Sequence, residues 1–403
     1  MSGIVAIGGG QAGFSFVQKL RSLGCNQKIT LVCGEDILPY QRPPLSKKFL
    51  LGKMGKKQLL LRPKSYYYDK NINLIIGKKA LRINRNLMEI ELDDGVKLPY
   101  KKLFLGIGSS PKKLSDKRIY ENKCVHYIRN FKDVELVSKE FNIKKSLLII
   151  GGGYIGLEIA AVAKKRGLNV SIIESKDRIL KRVTSERVGD YFRKLHEENG
   201  VKIKESVEIE DFLFEGKTFK GVLTNTGETI PGDFIIAGIG IKPNSKLAEE
   251  SGLLVENGIL VDEYCRTNDP NIFAAGDCAS FIYQGKRIRL ESVGNAIEQS
   301  EVAALATQGV RFNYKALPWF WSDQFNVKLQ IAGLNFGYTE VVERNLGERL
   351  SYWYYKDEKF IAVDAINDPV SYMVGKRLIE KNQTPSQKDL AKESFNLKNL
   401  LKV

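Results

Sequence analysis

Two glycine-rich turns in the same strand–turn–helix context constrain this chain more than anything else in it. The first lies in "IVAIGGGQAGFSFVQKL" (Ile4–Leu20) and the second in "SLLIIGGGYIGLEIAA" (Ser146–Ala161). In each, a run of strand residues meets glycines spaced G-x-G-x-x-G and then a helix. The first glycine makes the tight bend, the second lets backbone N–H groups approach a pyrophosphate, and the third lets helix pack on strand. The helix N-terminus adds positive potential toward the phosphates. The first turn uses Gly8, Gly10 and Gly13, with Gln11 and Ala12 between them; the second uses Gly151, Gly153 and Gly156, with Tyr154 and Ile155 between them. Each is followed by a strand ending in an acid, Glu35 and Glu174, suited to a ribose diol. One such turn is weak evidence. Two, each with its acid, imply two dinucleotides, most simply FAD and a nicotinamide cofactor. Glu174 would repel a 2′-phosphate and so favours NADH over NADPH, with Lys176 and Arg178 close enough in sequence to soften that preference.

A chain of 403 residues predicts two or three domains with cores of their own. Hydrophobic content of 43% with 27% charged residues is that of a soluble globular protein. The longest apolar run, Leu147–Ala163, contains glycines and Glu158 and switches from strand to helix pattern, which argues against a membrane span. The first strand starts almost at the N-terminus with no secretory signal before it, so a cytoplasmic location is expected. Cys25, Cys33, Cys124, Cys265 and Cys278 form neither a CxxC pair nor a metal-type cluster and read as reduced thiols. The only histidines, His126 and His196, lie far apart, which disfavours a histidine triad or a zinc site; no metal is expected. Lys plus Arg number 63 against 47 Asp plus Glu, a net charge of +16. That excess fits attraction to an acidic partner, or equally a lysine-rich background, since the lysines are scattered.

The strand–turn–helix pattern recurs once at domain spacing, and from about Trp319 the texture changes, so the chain reads as two α/β parts followed by a third unit of its own. Within the second part, "IKESVEIEDFLFEGKTFKGVLTNTGETI" reads as a strand meander. In the third, "SYWYYKDEKFIAVDAIN" reads as aromatic strands, "SYMVGKRLIEKN" as an amphipathic helix, and the end as a Lys/Asn/Ser-rich tail. The fold class expected is α/β: two Rossmann-like three-layer nucleotide-binding domains plus a C-terminal α+β domain.

Five stretches, "LPYQRPPLSK" (Leu38–Lys47), "GGGYIGLE" (Gly151–Glu158), "FAAGDCA" (Phe273–Ala279), "ESVGNAIEQ" (Glu291–Gln299) and "PWFWSDQF" (Pro318–Phe325), resemble the oxygenase-coupled NADH–ferredoxin reductases. These serve bacterial cytochromes P450 and aromatic-ring dioxygenases. The resemblance spans essentially the whole chain; "RPPLSK" and "PWFWSDQ" are specific to the group, while the glycine turns are shared with many flavoenzymes. It implies a discontinuous FAD domain (residues 1–110 and 244–318), an inserted NAD domain (111–243) and a C-terminal α/β domain (319–403), with hydride transfer from NADH to non-covalent FAD, then two single-electron transfers to an acidic [2Fe–2S] ferredoxin.

By that resemblance, Ala12 lies at the FAD pyrophosphate loop, Glu35 at the adenosine ribose, and Arg42 and Lys47 flank the flavin. Backbone at Ala80 meets the adenine, Arg129 contacts FAD, Asp277 bonds the ribitol, Val293 presents backbone to the pyrimidine ring, and Gly276 and Glu291 also count among the FAD contacts. Glu158 and Tyr154 face the nicotinamide side, where Gly240 also counts among the NAD contacts, and Trp321 lies close to the isoalloxazine. Glu158 is placed to pair with Lys47 and keep it cationic, unless it is only a helix-dipole carboxylate. Arg62, Lys376, Arg377 and Lys381 are candidate ferredoxin contacts, or else a solvated face. Cys33 and Gly34 stand where relatives often carry Gly-Asp, which moves the ribose role to Glu35, and "LGIGSSP" (Leu105–Pro111) replaces the usual Ala-Thr-Gly turn, so no ligand is assigned there. Two alternatives remain from sequence: a flavin disulfide or peroxide reductase, which needs a redox thiol pair not seen here, and a basic flavoprotein similar to apoptosis-inducing factor that binds nucleic acid.

Overall fold

The computed structural model describes residues 3–401. The chain forms two compact units. One comprises Met1–Arg42, Gly55–Ser110 and Ile241–Pro318; the other Pro43–Met54, Pro111–Gly240 and Trp319–Val403.

The first unit is built on a seven-stranded sheet. Its order is Ile72–Ile76, Ile29–Cys33, Gly3–Ile7, Lys97–Leu105, Glu89–Leu92 and Ala80–Asn84, with Ile272–Ala274 also pairing to Lys97–Leu105. Gly3–Ile7 is the central parallel strand, running beside Ile29–Cys33 on one edge and Lys97–Leu105 on the other. Parallel strands are covered on both faces, and the near-continuous apolar runs "GIVAI" and "ITLVC" are fully buried as that requires. On one face lie the helices Gln11–Ser22 and Val293–Thr307, joined through Phe14, Val17, Leu20, Val302 and Ala303. Phe16 stacks on Phe104 with ring centroids 4.0 Å apart and planes 8° from parallel. Truncating such a buried ring costs about 3–5 kcal/mol, so Phe16→Ala should weaken this layer severely.

The second unit repeats the plan. Val201–Lys204, Asn169–Ile173, Ser146–Ile150, Phe234–Ala237 and Val125–His126 form an all-parallel five-stranded sheet. The meander is the antiparallel set Ile209–Glu215, Thr218–Thr224 and Thr229–Pro231. A separate antiparallel sheet runs Trp319–Gln324, Val327–Gly333, Lys359–Ile366, Arg349–Lys356, Glu340–Leu346. The helix Pro369–Glu380 packs Tyr372, Val374 and Leu378 onto it against Trp353 and Val363. Asp368 starts that helix by accepting the Ser371 N–H, with proline at its first position.

The polar composition toward the C-terminus does not leave residues 384–401 loose. Leu390 and Leu397 are buried in the same core, and the Arg344 guanidinium donates to the carbonyls of Leu390, Lys392, Glu393 and Phe395. A planar five-donor fork satisfies several carbonyls at once. Among the described residues no helix is long and apolar enough to cross a membrane, and no group of three or more His, Cys, Asp or Glu could hold a metal.

Candidate functional site

The two glycine turns adopt matching geometry, one in each unit. Gly8 has φ of 117° and Gly151 of 103°, a region that favours glycine; a Cβ on Gly8 would lie 2.2 Å from the Gly106 carbonyl oxygen, one on Gly151 2.6 Å from that of Gly238. Gly13 and Gly156 touch their own turns: a Cβ would sit 1.9 Å from the Gly8 oxygen and 2.3 Å from the Gly151 oxygen. The middle glycines differ. A Cβ on Gly153 would meet nothing within 4 Å, and one on Gly10 only the Arg42 Nε at 3.9 Å. Packing within each unit therefore explains the outer glycines but not the middle ones, which face open space at a helix N-terminus. That is the fit a pyrophosphate requires.

In the first unit, Glu35 lies two residues past the strand Ile29–Cys33 and is half-buried. The Arg42 guanidinium donates to its Oε1 at 2.5 Å and the Tyr40 hydroxyl to its Oε2 at 2.6 Å. Gln11 binds Ser15 within the helix. Asp277 sits in the turn Gly276–Cys278 and accepts the Ser109 hydroxyl at 2.7 Å. Gly276, with φ of 77°, donates its N–H to the buried Gln299 side chain at 2.9 Å. Val293 opens its helix just after the Arg289–Glu291 ion pair of 2.7 Å, and Ala80 opens the strand Ala80–Asn84, half-buried. Arg62 lies exposed over the rings of Phe14 and Tyr66.

In the second unit, both Glu174 oxygens are engaged by backbone: Gly152 donates to Oε2 at 2.7 Å and Lys176 to Oε1 at 2.9 Å. The acid therefore shapes the turn that it serves. The Arg178 guanidinium is committed to the carbonyls of Ile179, Lys181 and Thr184, which removes it as a group that would soften a preference against a 2′-phosphate. Gly240, with φ of 103°, accepts the Lys112 N–H, and Ile155 is exposed on the helix. Arg129 precedes the helix Phe131–Val137, its N–H bonded to Asp133.

Glu158 lies on the helix Tyr154–Lys165 with 3% of its side chain exposed. It is no mere dipole carboxylate. Lys47 Nζ sits 2.7 Å from its Oε2, the Ser46 hydroxyl donates to the same oxygen at 2.6 Å, and the Ser322 hydroxyl donates to Oε1 at 2.7 Å. Ser46 and Ser322 lie inside the quoted motifs "LPYQRPPLSK" and "PWFWSDQF". Period two along the strand Trp319–Gln324 was the signal that separates buried Ser322 and Gln324 from half-buried Trp319, Trp321 and Asp323. Trp321 stacks on Trp319 at 5.6 Å, and Lys376 Nζ lies 5.0 Å from the Trp319 ring. Arg377 pairs with Glu380 at 2.5 Å on the same helix, and Lys381 is exposed at its end.

The Tyr154 ring packs on Phe320 while its hydroxyl is turned inward with no partner; burial, then the Asp364 charge, push it well above the usual phenol range. Asp364 is itself raised to about 7 by burial, although Tyr354 donates to its Oδ2 at 2.7 Å. All five cysteines are free and buried. Burial pushes Cys33 up to about 12 and Cys124 and Cys278 up to about 11, the opposite of what a reactive thiolate needs.

Residues 2–300 match the family model described as pyridine nucleotide-disulphide oxidoreductase, and residues 319–401 that described as reductase C-terminal. Rhodocoxin reductase of Rhodococcus erythropolis is 39% identical over 98% of this chain and 93% of its own length. The chain belongs to the oxygenase-coupled NADH–ferredoxin reductases. Putidaredoxin reductase of Pseudomonas putida, another member of the family, is 36% identical over 99% of this chain and 96% of its own. Among solved structures, the covalent putidaredoxin reductase–putidaredoxin complex superposes with a TM-score of 0.96 at 35% identity, covering 99% of this chain and 98% of that one. Members of this reductase family use FAD and NAD(H), which accounts for two open glycine turns in one polypeptide.

Proposed function

We propose that this protein is an FAD-dependent reductase that draws electrons from NADH and hands them singly to an acidic [2Fe–2S] ferredoxin serving a cytochrome P450 or ring-hydroxylating dioxygenase. The observation that carries the reading is the pair of glycine turns whose middle glycines face open space. FAD held there would supply what the fold itself lacks, a centre able to take a hydride from NADH and pass on its two electrons one at a time.

The chain supplies position and charge. Gly8, Gly10, Gly13 and the helix from Gln11 would hold the FAD pyrophosphate, with Glu35 and Arg42 at the ribose and flavin ends and Asp277 on the ribitol. Gly276, Glu291, Val293, Ala80 and Arg129 are assigned to the same cofactor. Gly151, Gly153, Ile155, Gly156 and Glu174 would hold NADH, with Gly240 and Tyr154 bordering the nicotinamide. Lys47 is assigned to the flavin, its charge fixed by Glu158, and Trp321 to the isoalloxazine. A cation placed where negative charge gathers favours the reduced cofactor. The proposed division is 1–110 with 244–318 for FAD, 111–243 for NAD and 319–403 for the C-terminal domain, working in the cytoplasm.

The net charge of +16 fits steering toward an acidic ferredoxin. Steering acts on association rate over a screening length of about 8–10 Å. Rising ionic strength should slow ferredoxin reduction at limiting ferredoxin and leave reduction by NADH nearly unchanged. Reversing Arg62, Lys376 or Arg377 to glutamate should raise the apparent KM for ferredoxin by a factor of about 1.4 to 5 each, as exposed contacts do. If salt has no effect on ferredoxin reduction, the steering is wrong; if salt acts but all three reversals are silent, the dock lies elsewhere.

A further inference from the structure

Glu158 stands at the end of a chain of buried side chains that continues well past Lys47. Ser322 donates to Glu158 Oε1 at 2.7 Å; the Gln324 amide N–H donates to Ser322 Oγ at 3.1 Å; and Gln324 Oε1 lies 2.9 Å from His196 Nε2. Ser322, Gln324 and His196 each have no exposed surface. The direction of every proton in this chain follows from one charge. Lys47 has donors only, so Glu158 must accept at Oε2, where Ser46 donates as well. Being ionised, Glu158 accepts at Oε1 too, which spends the single Ser322 proton. Ser322 must then accept from the Gln324 amide nitrogen, and the Gln324 oxygen must face a donor. His196 is therefore protonated on Nε2. Its Nδ1 is buried without a partner, so it favours neither tautomer, and burial pushes the imidazole down to about 4, leaving it neutral at physiological pH.

We propose that Ser322, Gln324 and His196 form a polarised relay that positions Glu158 and reads the charge state of the Lys47–Glu158 pair across the C-terminal strand. The inference rests on the assignment of that pair to the flavin. Ser322 is a positioning residue: it holds Glu158 as a pure acceptor, and through the strand Trp319–Gln324 it ties the carboxylate to the register of Trp321, which points to the other face. The second self-consistent arrangement has every donor reversed. It is reached when the group at position 158 offers a proton toward Ser322: the hydroxyl turns to Gln324, the amide flips, and Nε2 of His196 must be bare with the proton on Nδ1. Hydrogen-bond chains of this kind polarise one another, which favours the two uniform arrangements over mixed ones.

The near-isosteric change Glu158→Gln favours the reversed arrangement, because a Ser322 hydroxyl accepting from both amides would leave its own proton buried without a partner. Its amide oxygen must take the position facing Lys47, because an NH2 group there would oppose an ammonium. Its NH2 then faces Ser322. The test is 15N NMR of the imidazole rings in the full-length, FAD-bound oxidised protein, where only His126 and His196 report. The expected result is Nε2–H on His196 in the wild type, Nδ1–H in Glu158→Gln, and identical His196 signals in Ser322→Ala and Glu158→Gln/Ser322→Ala, where the link is cut. Retention of Nε2–H in Glu158→Gln, or a switch that survives the Ser322→Ala cut, would overturn the relay. Ser322→Ala alone should slow flavin reduction at saturating NADH about tenfold, the loss expected for a hydrogen bond to a charged group, with NADH affinity held within about twofold. An equal loss in affinity and rate would make Ser322 a structural residue only. The tautomer needs no turnover, so it fails or stands independently of whether NADH reduces the protein.

Discussion

The Lys47 ammonium lies 2.7 Å from a Glu158 oxygen that is almost fully withdrawn from water. Two buried charges cost several kcal/mol to desolvate, and their attraction offsets this only while both are present. Lys47→Met should therefore lower stability by about 3–5 kcal/mol, because Ser46 and Ser322 alone cannot compensate a stranded carboxylate. Lys47→Met with Glu158→Leu should be less damaging than the sum of the single changes. Thermal or urea unfolding of the four proteins reads this coupling directly; additive effects would mean that the pair does not interact as described.

Glu174 holds its own turn through Gly152 and Lys176, so changing it does two things at once. Glu174→Arg should raise the KM for NADH about tenfold or more, the scale of a lost charged hydrogen bond, while improving use of NADPH. Flavin content should be unchanged, since the FAD turn belongs to the other glycine motif. Wild-type protein reduced as fast by NADPH as by NADH would contradict the role of Glu174.

The thiols are expected to be bystanders. Replacing all five cysteines by serine or alanine should leave NADH–ferricyanide activity largely intact in variants that retain FAD. Burial of every thiol and the upward shifts at Cys33, Cys124 and Cys278 point the same way. Lost turnover with flavin retained would reveal a redox thiol.

Asp364 gives a pH signature. Burial raises its carboxyl from 3.8 to about 7 while Tyr354 donates to it, Ser185 lies beside that hydroxyl, and the Asp364 Oδ1 is buried without a partner. A raised acid contributes its full stability below about 3.8 and loses it as pH climbs to about 7. Asp364→Asn does not titrate, so the stability of the variant relative to wild type should improve across that window by on the order of a few kcal/mol. Unfolding free energies at pH 4.5 and pH 8 check it; a difference independent of pH would mean that Asp364 stays ionised in the fold.

Much of this was legible in sequence because it rests on local pattern. Glycine spacing, the acid closing each following strand, the meander and the aromatic C-terminal strands all depend on residues near one another in the chain. What sequence concealed depends on meetings over long separations. Ser46, Ser322 and Gln324 are ordinary polar residues until the fold brings them to Glu158 and His196. Arg178 reads as a cation close enough to Glu174 to soften a preference for NADH, yet its guanidinium is occupied by the carbonyls of Ile179, Lys181 and Thr184. The Lys/Asn/Ser-rich tail reads as loose chain, because nothing near it in sequence announces that Arg344 gathers four of its carbonyls.

One chain should both receive electrons from NADH on bound FAD and deliver them to a [2Fe–2S] ferredoxin. Anaerobic stopped-flow absorbance follows both halves in one experiment. The purified yellow protein should bleach on mixing with NADH, far more slowly with NADPH, and the reduced protein should recover its flavin absorbance on mixing with oxidised acidic [2Fe–2S] ferredoxin as the ferredoxin spectrum fades. Protein that lacks FAD, or flavin that NADH leaves oxidised, would contradict the account at its root; flavin reduced by NADH but never reoxidised by any such ferredoxin would contradict its assignment as a ferredoxin reductase.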